Sequence, residues 1–198
     1  MNPYEVASVA FGALAVWLTV RENVWCWPTG IVNVVLSAIV FAQARLYADA
    51  GLQLIYVALC LYGWYAWRHG GADHGALKVA RTPNLGWAVL ATSGVAFAAG
   101  LGLFLKRHTD AALPFWDAST ASFSLVAQWM QTRKWIENWL VWIAVDLVYV
   151  GMYVVKGLVL MAGLYAAFLV LAVAGLLAWR KSLVAVRKAN DPDPEPLR

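Results

Sequence analysis

The stretch Asn138-Trp-Leu-Val-Trp142-Ile-Ala-Val-Asp146-Leu-Val-Tyr-Val-Gly-Met-Tyr-Val-Val155 is apolar after its first residue, save for one acid near its centre. Its length suits a helix that crosses a bilayer, which needs about 20 mostly apolar residues. Backbone groups in lipid must be satisfied internally, and the strict alternation of a barrel strand is missing, so the stretch is read as a transmembrane helix. Working outward, comparable runs fall at about 4–20, 28–44, 50–67, 84–104, 115–132 and 159–179. The chain has 198 residues, 62% hydrophobic, 14% aromatic and 13% charged. A soluble domain has about 45–50% apolar and about 25% charged residues, so neither an ordinary soluble enzyme nor a disordered chain fits. Seven spans use roughly 140 residues. The expected fold is therefore an all-α membrane protein of seven transmembrane helices, one domain over 1–186, without room for a second globular domain.

Pro28 and Pro114 sit where a first helical turn tolerates proline, and Asn84, after Pro83, reads as an N-cap. The one long loop, 68–83, holds Arg68, His69, Asp73, His74, Lys78 and Arg81, and 187–198 reads as a disordered tail. The N-terminus lacks a basic region and a small-residue cleavage site, so the first run reads as a true span rather than a signal peptide. On the N-terminal side lie Arg45, Lys106, Arg107 and Lys156; the other eleven Lys and Arg residues lie opposite. The positive side is normally cytoplasmic, which predicts the N-terminus outside and the C-terminus inside. These charges need no nucleic-acid partner. Cys26 and Cys60 read as two buried thiols.

The chain repeats itself. Arg21-Glu-Asn-Val-Trp25, Trp27-Pro-Thr-Gly-Ile-Val-Asn33 and Gly63-Trp-Tyr-Ala-Trp67 have counterparts in Arg133-Lys-Trp-Ile-Glu137-Asn-Trp139, then Trp142 and Asp146, then Gly175-Leu-Leu-Ala-Trp179. Spans one to three (1–67) thus resemble spans five to seven (115–180). A fourth span at 84–104 turns the second unit back into parallel orientation, a 3+1+3 plan. Parallel repeats are a transporter architecture, with the substrate held near the midplane between the halves.

Polar groups inside a span are costly and mark function by default. Asn33, Gln53, Gln128 and Asp146 are such groups. Asn33, Gln53 and Gln128 can equally serve as hydrogen-bonding glue between helices. A lone carboxylate in the membrane calls for a partner, either a cationic ligand or Lys156. Trp139, Trp142 and Asp146 are spaced three and four apart and share one helix face. Two indoles above a carboxylate form an aromatic slot for a flat cation, an attraction of about 2 kcal/mol when desolvated. Trp139 also suits an interfacial aromatic belt, as do Trp25 and Trp135. Asp117 reads as a helix N-terminal charge, with a ligand role as the alternative, the Tyr62, Trp64, Tyr65 and Trp67 group as belt and packing, and Gly94, Gly100 and Gly102 as close-approach positions for a linker or oligomer face.

Catalysis finds little support. His69, His74 and His108 all lie in loops outside the spans, and no zinc, thiol-redox, nucleophile-elbow or phosphate-loop motif is present. No catalytic residue, metal ligand or cofactor is expected. An intramembrane enzyme would have Ser119, Ser122, Ser124 and Asp146 but no histidine base. A subunit of an ATP-driven importer would require partner chains.

The segments 27–33, Leu46-Tyr-Ala-Asp-Ala-Gly-Leu-Gln53-Leu-Ile-Tyr56, Tyr62-Gly-Trp-Tyr-Ala-Trp67, Pro114-Phe-Trp-Asp117, Thr132-Arg-Lys134, Glu137-Asn-Trp139-Leu-Val-Trp142 and Lys156-Gly-Leu158 together resemble the PnuC-type vitamin transporters, over about residues 21 to 180. The resemblance implies a SWEET-like 3+1+3 fold, a homotrimer in the bacterial inner membrane amid lipid, and facilitated diffusion of nicotinamide riboside for NAD biosynthesis. A cytoplasmic kinase would trap the substrate as its phosphate. It places the ligand at the midplane, between the pair Trp139 and Trp142, with Asp146 on the next turn, and polar residues of the other helices; the ribose hydroxyls would want Asn33, Gln53 or Gln128 as partners. Some nicotinamide riboside carriers have asparagine where this chain has Asp146, a departure that bears on substrate rather than family. Thiamine, also a cation, is the alternative, and neutral riboflavin ranks third.

Overall fold

In a computed structural model, residues 3–43, 45, 47–109, 113–155 and 157–190 are described. They form seven α-helices: α1 (Pro3–Val20), α2 (Cys26–Gln43), α3 (Tyr47–His69), α4 (Asn84–His108), α5 (Pro114–Thr132), α6 (Asn138–Val155) and α7 (Val159–Asn190). Pro28 falls in the first turn of α2 and Pro114 opens α5. Asn84 does not cap α4 but is its first helical residue: Pro83 has the extended backbone of a cap, and its carbonyl accepts the Trp87 N–H at 3.0 Å. α7 continues past 187, where a disordered tail was expected, as far as Asn190; 191–198 lie outside the described residues.

Among the described residues, six helices are long and apolar enough to cross a membrane. The exception is α5, which has the length but also Ser122, Ser124 and Gln128, all buried. Its polar side chains face protein: the Ser122 hydroxyl donates to the Gly94 carbonyl of α4 at 2.7 Å. A hydrophobicity measure built for lipid-facing helices undervalues such a helix, because its neighbours supply the polar partners.

Consecutive helices pack side by side as α1–α2–α3 and as α5–α6–α7, while α4 lies along α5. Gly94 accommodates Phe123 and Val126, and Gly102 accommodates Phe115, so these two glycines fit α4 to α5. Contacts of α1 with α7 and of α3 with α5 join the two sets.

The repeat is carried by tryptophan on glycine. The Trp27 ring lies where a side chain on Gly63 would be, and the Trp139 ring lies in the same way on Gly175. Trp27 meets Trp67 edge-on at 5.3 Å and 89°, and Trp139 meets Trp179 at 5.4 Å and 84°. The two pairs meet through Trp67 and Trp179 at 5.8 Å. Hydrogen bonds cross between the halves in matching fashion: Trp67 Nε1 donates to the Gln131 carbonyl and Trp179 Nε1 to the Thr19 carbonyl, both at 3.0 Å. These acceptors lie in the last turns of α5 and α1, where helix carbonyls lack intrahelical donors.

One constant difference in residue number relates all these partners, and it also relates Glu22 to Lys134. Both residues have positive φ, of 55°. The sequence comparison had set Asn33 against Asp146; the constant difference sets Asn33 against Val145 and Asp146 against Val34.

Lys134 Nζ pairs with Glu22 at 2.9 Å, lies 4.7 Å above the Trp67 ring and donates to the Leu77 carbonyl. The 68–83 loop lies along the α5–α6 connection. Ala80 N–H donates to the Lys134 carbonyl, Ile136 N–H to the Ala80 carbonyl, and Thr82 donates twice to Glu137. This end of the bundle is closed by buried indoles with a tied-down loop over them.

Alanine normally stabilises a helix by about 1 kcal/mol relative to glycine. Gly175→Ala should instead lower the thermal unfolding midpoint in detergent, since overpacking costs about 1–3 kcal/mol. Gly100→Ala, where the new methyl meets open space, should hold or raise it. Equal responses would remove the tryptophan-on-glycine contact as a determinant of stability.

Candidate substrate-binding site

Between the two sets of helices lies a cavity of about 700 Å³. Volumes of about 300–1,000 Å³ are usual for small-molecule sites. It runs from Thr19 and Gln131, beside the closed end, to Asp49 and Asp117 in the first turns of α3 and α5. All six residues singled out from the sequence (Asn33, Gln53, Gln128, Trp139, Trp142 and Asp146) line it.

Their situations differ. Trp139 is 2% exposed and wedged between Gly175 and Trp179, so it forms the floor of the cavity and belongs to the core as well. Its Nε1 has no hydrogen-bond partner. Trp142 is half-buried, and its Nε1 donates to Gln131 Oε1 at 3.3 Å, which fixes the indole as a wall. Asn33 Nδ2 donates to the Ser8 carbonyl at 2.7 Å and to Ser8 Oγ at 3.2 Å. Its amide N–H groups therefore tie α2 to α1, and its carbonyl oxygen is what it can offer a ligand. Gln128 is buried, with Nε2 3.8 Å from Cys60 Sγ. Gln53 stands half-buried on the α3 wall.

Asp146 is 5% exposed and borders the cavity. Among the described residues the one ion pair is Glu22–Lys134, so no cation answers this carboxylate. Lys156, the counter-charge considered from the sequence, lies outside the described residues. A carboxylate held in this way is poised to attract a cation from the cavity.

Sequence reading passed over several lining residues. Tyr149 follows Asp146 by three positions and continues the stripe Trp139, Trp142, Asp146 along one face of α6. Gln131 follows Gln128 in the same way on α5. Tyr56 and Tyr165 also border the cavity, as does Asp117, for which the sequence offers a ligand role as the alternative to a helix N-terminal charge. Cys26 and Cys60, expected as buried thiols, are buried and free, and both touch it. Trp25, assigned to an aromatic belt, is 61% exposed. Among the described residues, no three His, Cys, Asp or Glu side chains gather as metal ligands would.

Comparison with known proteins agrees with this architecture. The model of the family described as "Nicotinamide mononucleotide transporter" matches residues 2–181. The chain is similar to the nicotinamide riboside transporter PnuC of Escherichia coli strain K12, at 28% identity over 203 residues, covering 90% of this chain and 85% of that protein. It is similar to the riboflavin/roseoflavin transporter RibM of Streptomyces davaonensis, at 29% identity over 175 residues, covering 85% and 80%. The crystal structure of the vitamin B3 transporter PnuC superposes with a TM-score of 0.72 at 23% identity, covering 93% of this chain and 84% of that one, and so shares its fold. With the family match spanning nearly all of the membrane helices, the chain belongs to the nicotinamide mononucleotide transporter family: it is a multi-pass membrane transporter and not an enzyme.

Proposed function

We propose that this chain carries nicotinamide riboside across the bacterial inner membrane by facilitated diffusion, supplying NAD biosynthesis. One observation carries the choice of substrate. Among the described residues the cavity is lined by three carboxylates, Asp49, Asp117 and Asp146, and by no lysine, arginine or histidine. A mononucleotide would set its phosphate among these acids with no cation to receive it, and like charges at short range in a low-dielectric site repel strongly. The riboside has the pyridinium cation without the phosphate. Its ring suits Trp142 above Asp146. Its ribose hydroxyls suit Gln53, Gln128 and the Asn33 carbonyl. The similarity to nicotinamide riboside transporters points the same way. Thiamine, whose thiazolium is also a flat cation, is the second reading, supported by the same carboxylates. Riboflavin, suggested by the likeness to RibM, is uncharged and draws nothing from Asp146.

In this reading the bundle has a 3+1+3 plan with seven spans, α4 being the linker between units 1–67 and 115–180 and α5 crossing with its polar side turned inward. The matching Trp27–Gly63 and Trp139–Gly175 contacts support it. The tied-down end, with most of the Lys and Arg residues, faces the cytoplasm, and the carboxylate-lined end faces outward, which puts the N-terminus outside and the C-terminus inside. Transport proceeds by alternating access, one three-helix unit rocking against the other. The molecule assembles as a homotrimer, and a cytoplasmic kinase draws uptake forward by phosphorylating the riboside.

Calorimetric titration of the purified protein should show tight binding of nicotinamide riboside, and neither thiamine nor the mononucleotide should match it. Uptake by this chain alone in liposomes would exclude a subunit of an ATP-driven importer; binding of thiamine alone would move the substrate and keep the site. Trp142→Ala should weaken binding by about 2 kcal/mol, on the order of 30-fold, and unchanged affinity would remove the aromatic slot. Asp146→Asn should weaken the cationic riboside while sparing its uncharged dihydropyridine form. Equal loss for both would leave the carboxylate a hydrogen-bonding role only. A C-terminal reporter active only in the cytoplasm should give signal, and silence would reverse the orientation.

A further inference from the structure

The outer half of the cavity has its own aromatic walls and its own carboxylate. Tyr149 and Tyr165 line it with ring centroids 4.5 Å apart, and Tyr153 backs Tyr165 at 5.3 Å. Asp117 borders the same space from the first turn of α5. An acid in a first turn ordinarily answers the helix dipole and faces water. Here it is half-buried and turned toward the space between the helix sets. The α6 stripe therefore reads, from the closed end outward, Trp142, Asp146, Tyr149, Tyr153, with Asp117 facing its outer part. The inner pairing of an aromatic wall with a carboxylate is repeated farther out, about one helical turn away. The inner carboxylate, Asp146, is 5% exposed, and among the described residues neither it nor Asp117 forms an ion pair.

We infer that Asp117, Tyr149 and Tyr165 form a second station for an aromatic cation, which receives the permeant before it reaches Trp142 and Asp146 and so selects charged over uncharged rings at the entry step. This rests on the reading of the chain as an aromatic-cation carrier. It adds a specificity-determining residue, Asp117, separate from the residues of tight binding. A ring stacked on tyrosine beside a carboxylate keeps its charge compensated while it sheds water. A cleft lined with one sign of charge raises capture rates by about 10- to 1,000-fold.

The test compares initial uptake of nicotinamide riboside and of its uncharged dihydropyridine form by full-length protein in liposomes. Asp117→Asn should lower the ratio of charged to uncharged uptake about tenfold, while the calorimetric Kd for nicotinamide riboside stays within about twofold of wild type. Asp117→Glu should restore the ratio. Uptake of the uncharged form reports that each variant is folded. An equal fall for both permeants would make Asp117 a support of the α5 start, and an unchanged ratio would remove the station. A Kd weakened as much as in Asp146→Asn would merge the two stations into one. Any of these overturns the inference while leaving the proposed transport intact. Should wild-type protein carry thiamine instead, the ratio is read with thiamine against its uncharged deaza analogue. A wild-type protein that carries no aromatic cation would overturn both readings, and its own uptake assay shows which has failed first.

Discussion

Two indoles seated on two glycines hold the molecule together. Trp27 on Gly63 locks α2 to α3, and Trp139 on Gly175 locks α6 to α7. The edge-on partners Trp67 and Trp179 then meet each other and donate across to carbonyls at the ends of α5 and α1. Edge-on aromatic pairs contribute about 0.5–1.5 kcal/mol each beyond burial. In lipid, where burying apolar surface between helices gains little, such close packing and buried hydrogen bonds take the larger share. Everything else is arranged around this cluster: the sealed end on one side of it, the cavity on the other.

The cluster also explains why the site is built as it is. Trp139 is both floor of the cavity and keystone of the second helix set. Trp142, one turn outward, packs against the edge of the same core and donates to Gln131, and Asp146 is held by nothing charged among the described residues. Burial against the indole cluster thus decreases along α6 from Trp139, 2% exposed, to the half-buried Trp142.

The repeat was legible in the sequence because glycine four residues before tryptophan is a rigid spacing that needs no knowledge of neighbours. Of the six candidate residues, four stood out by polarity inside a span and the two tryptophans by their spacing with Asp146, and all six border the cavity. Tyr149 and Tyr165 were not, since tyrosine in a span suits belt, core and binding site alike. Asp117 reads first as a helix N-terminal charge because a first-turn acid usually belongs there, with a ligand role as the alternative; the packing of the helices sets it on the cavity. The polar composition of α5 hid something different. A helix lined with serine and glutamine looks unfit for lipid until its partners are seen around it. Asn33 and Asp146 looked equivalent by spacing alone, and the tryptophan contacts shifted that equivalence by one position.

The pairing of Glu22 with Lys134 has a consequence for how such a molecule can exist. These two residues occupy the same place in the two units, each at the left-handed turn after a helix, and they touch each other. Two identical units brought together in this way would set glutamate against glutamate or lysine against lysine. The attraction exists only because the copies differ. Neither residue can therefore be copied onto the other position without turning attraction into repulsion.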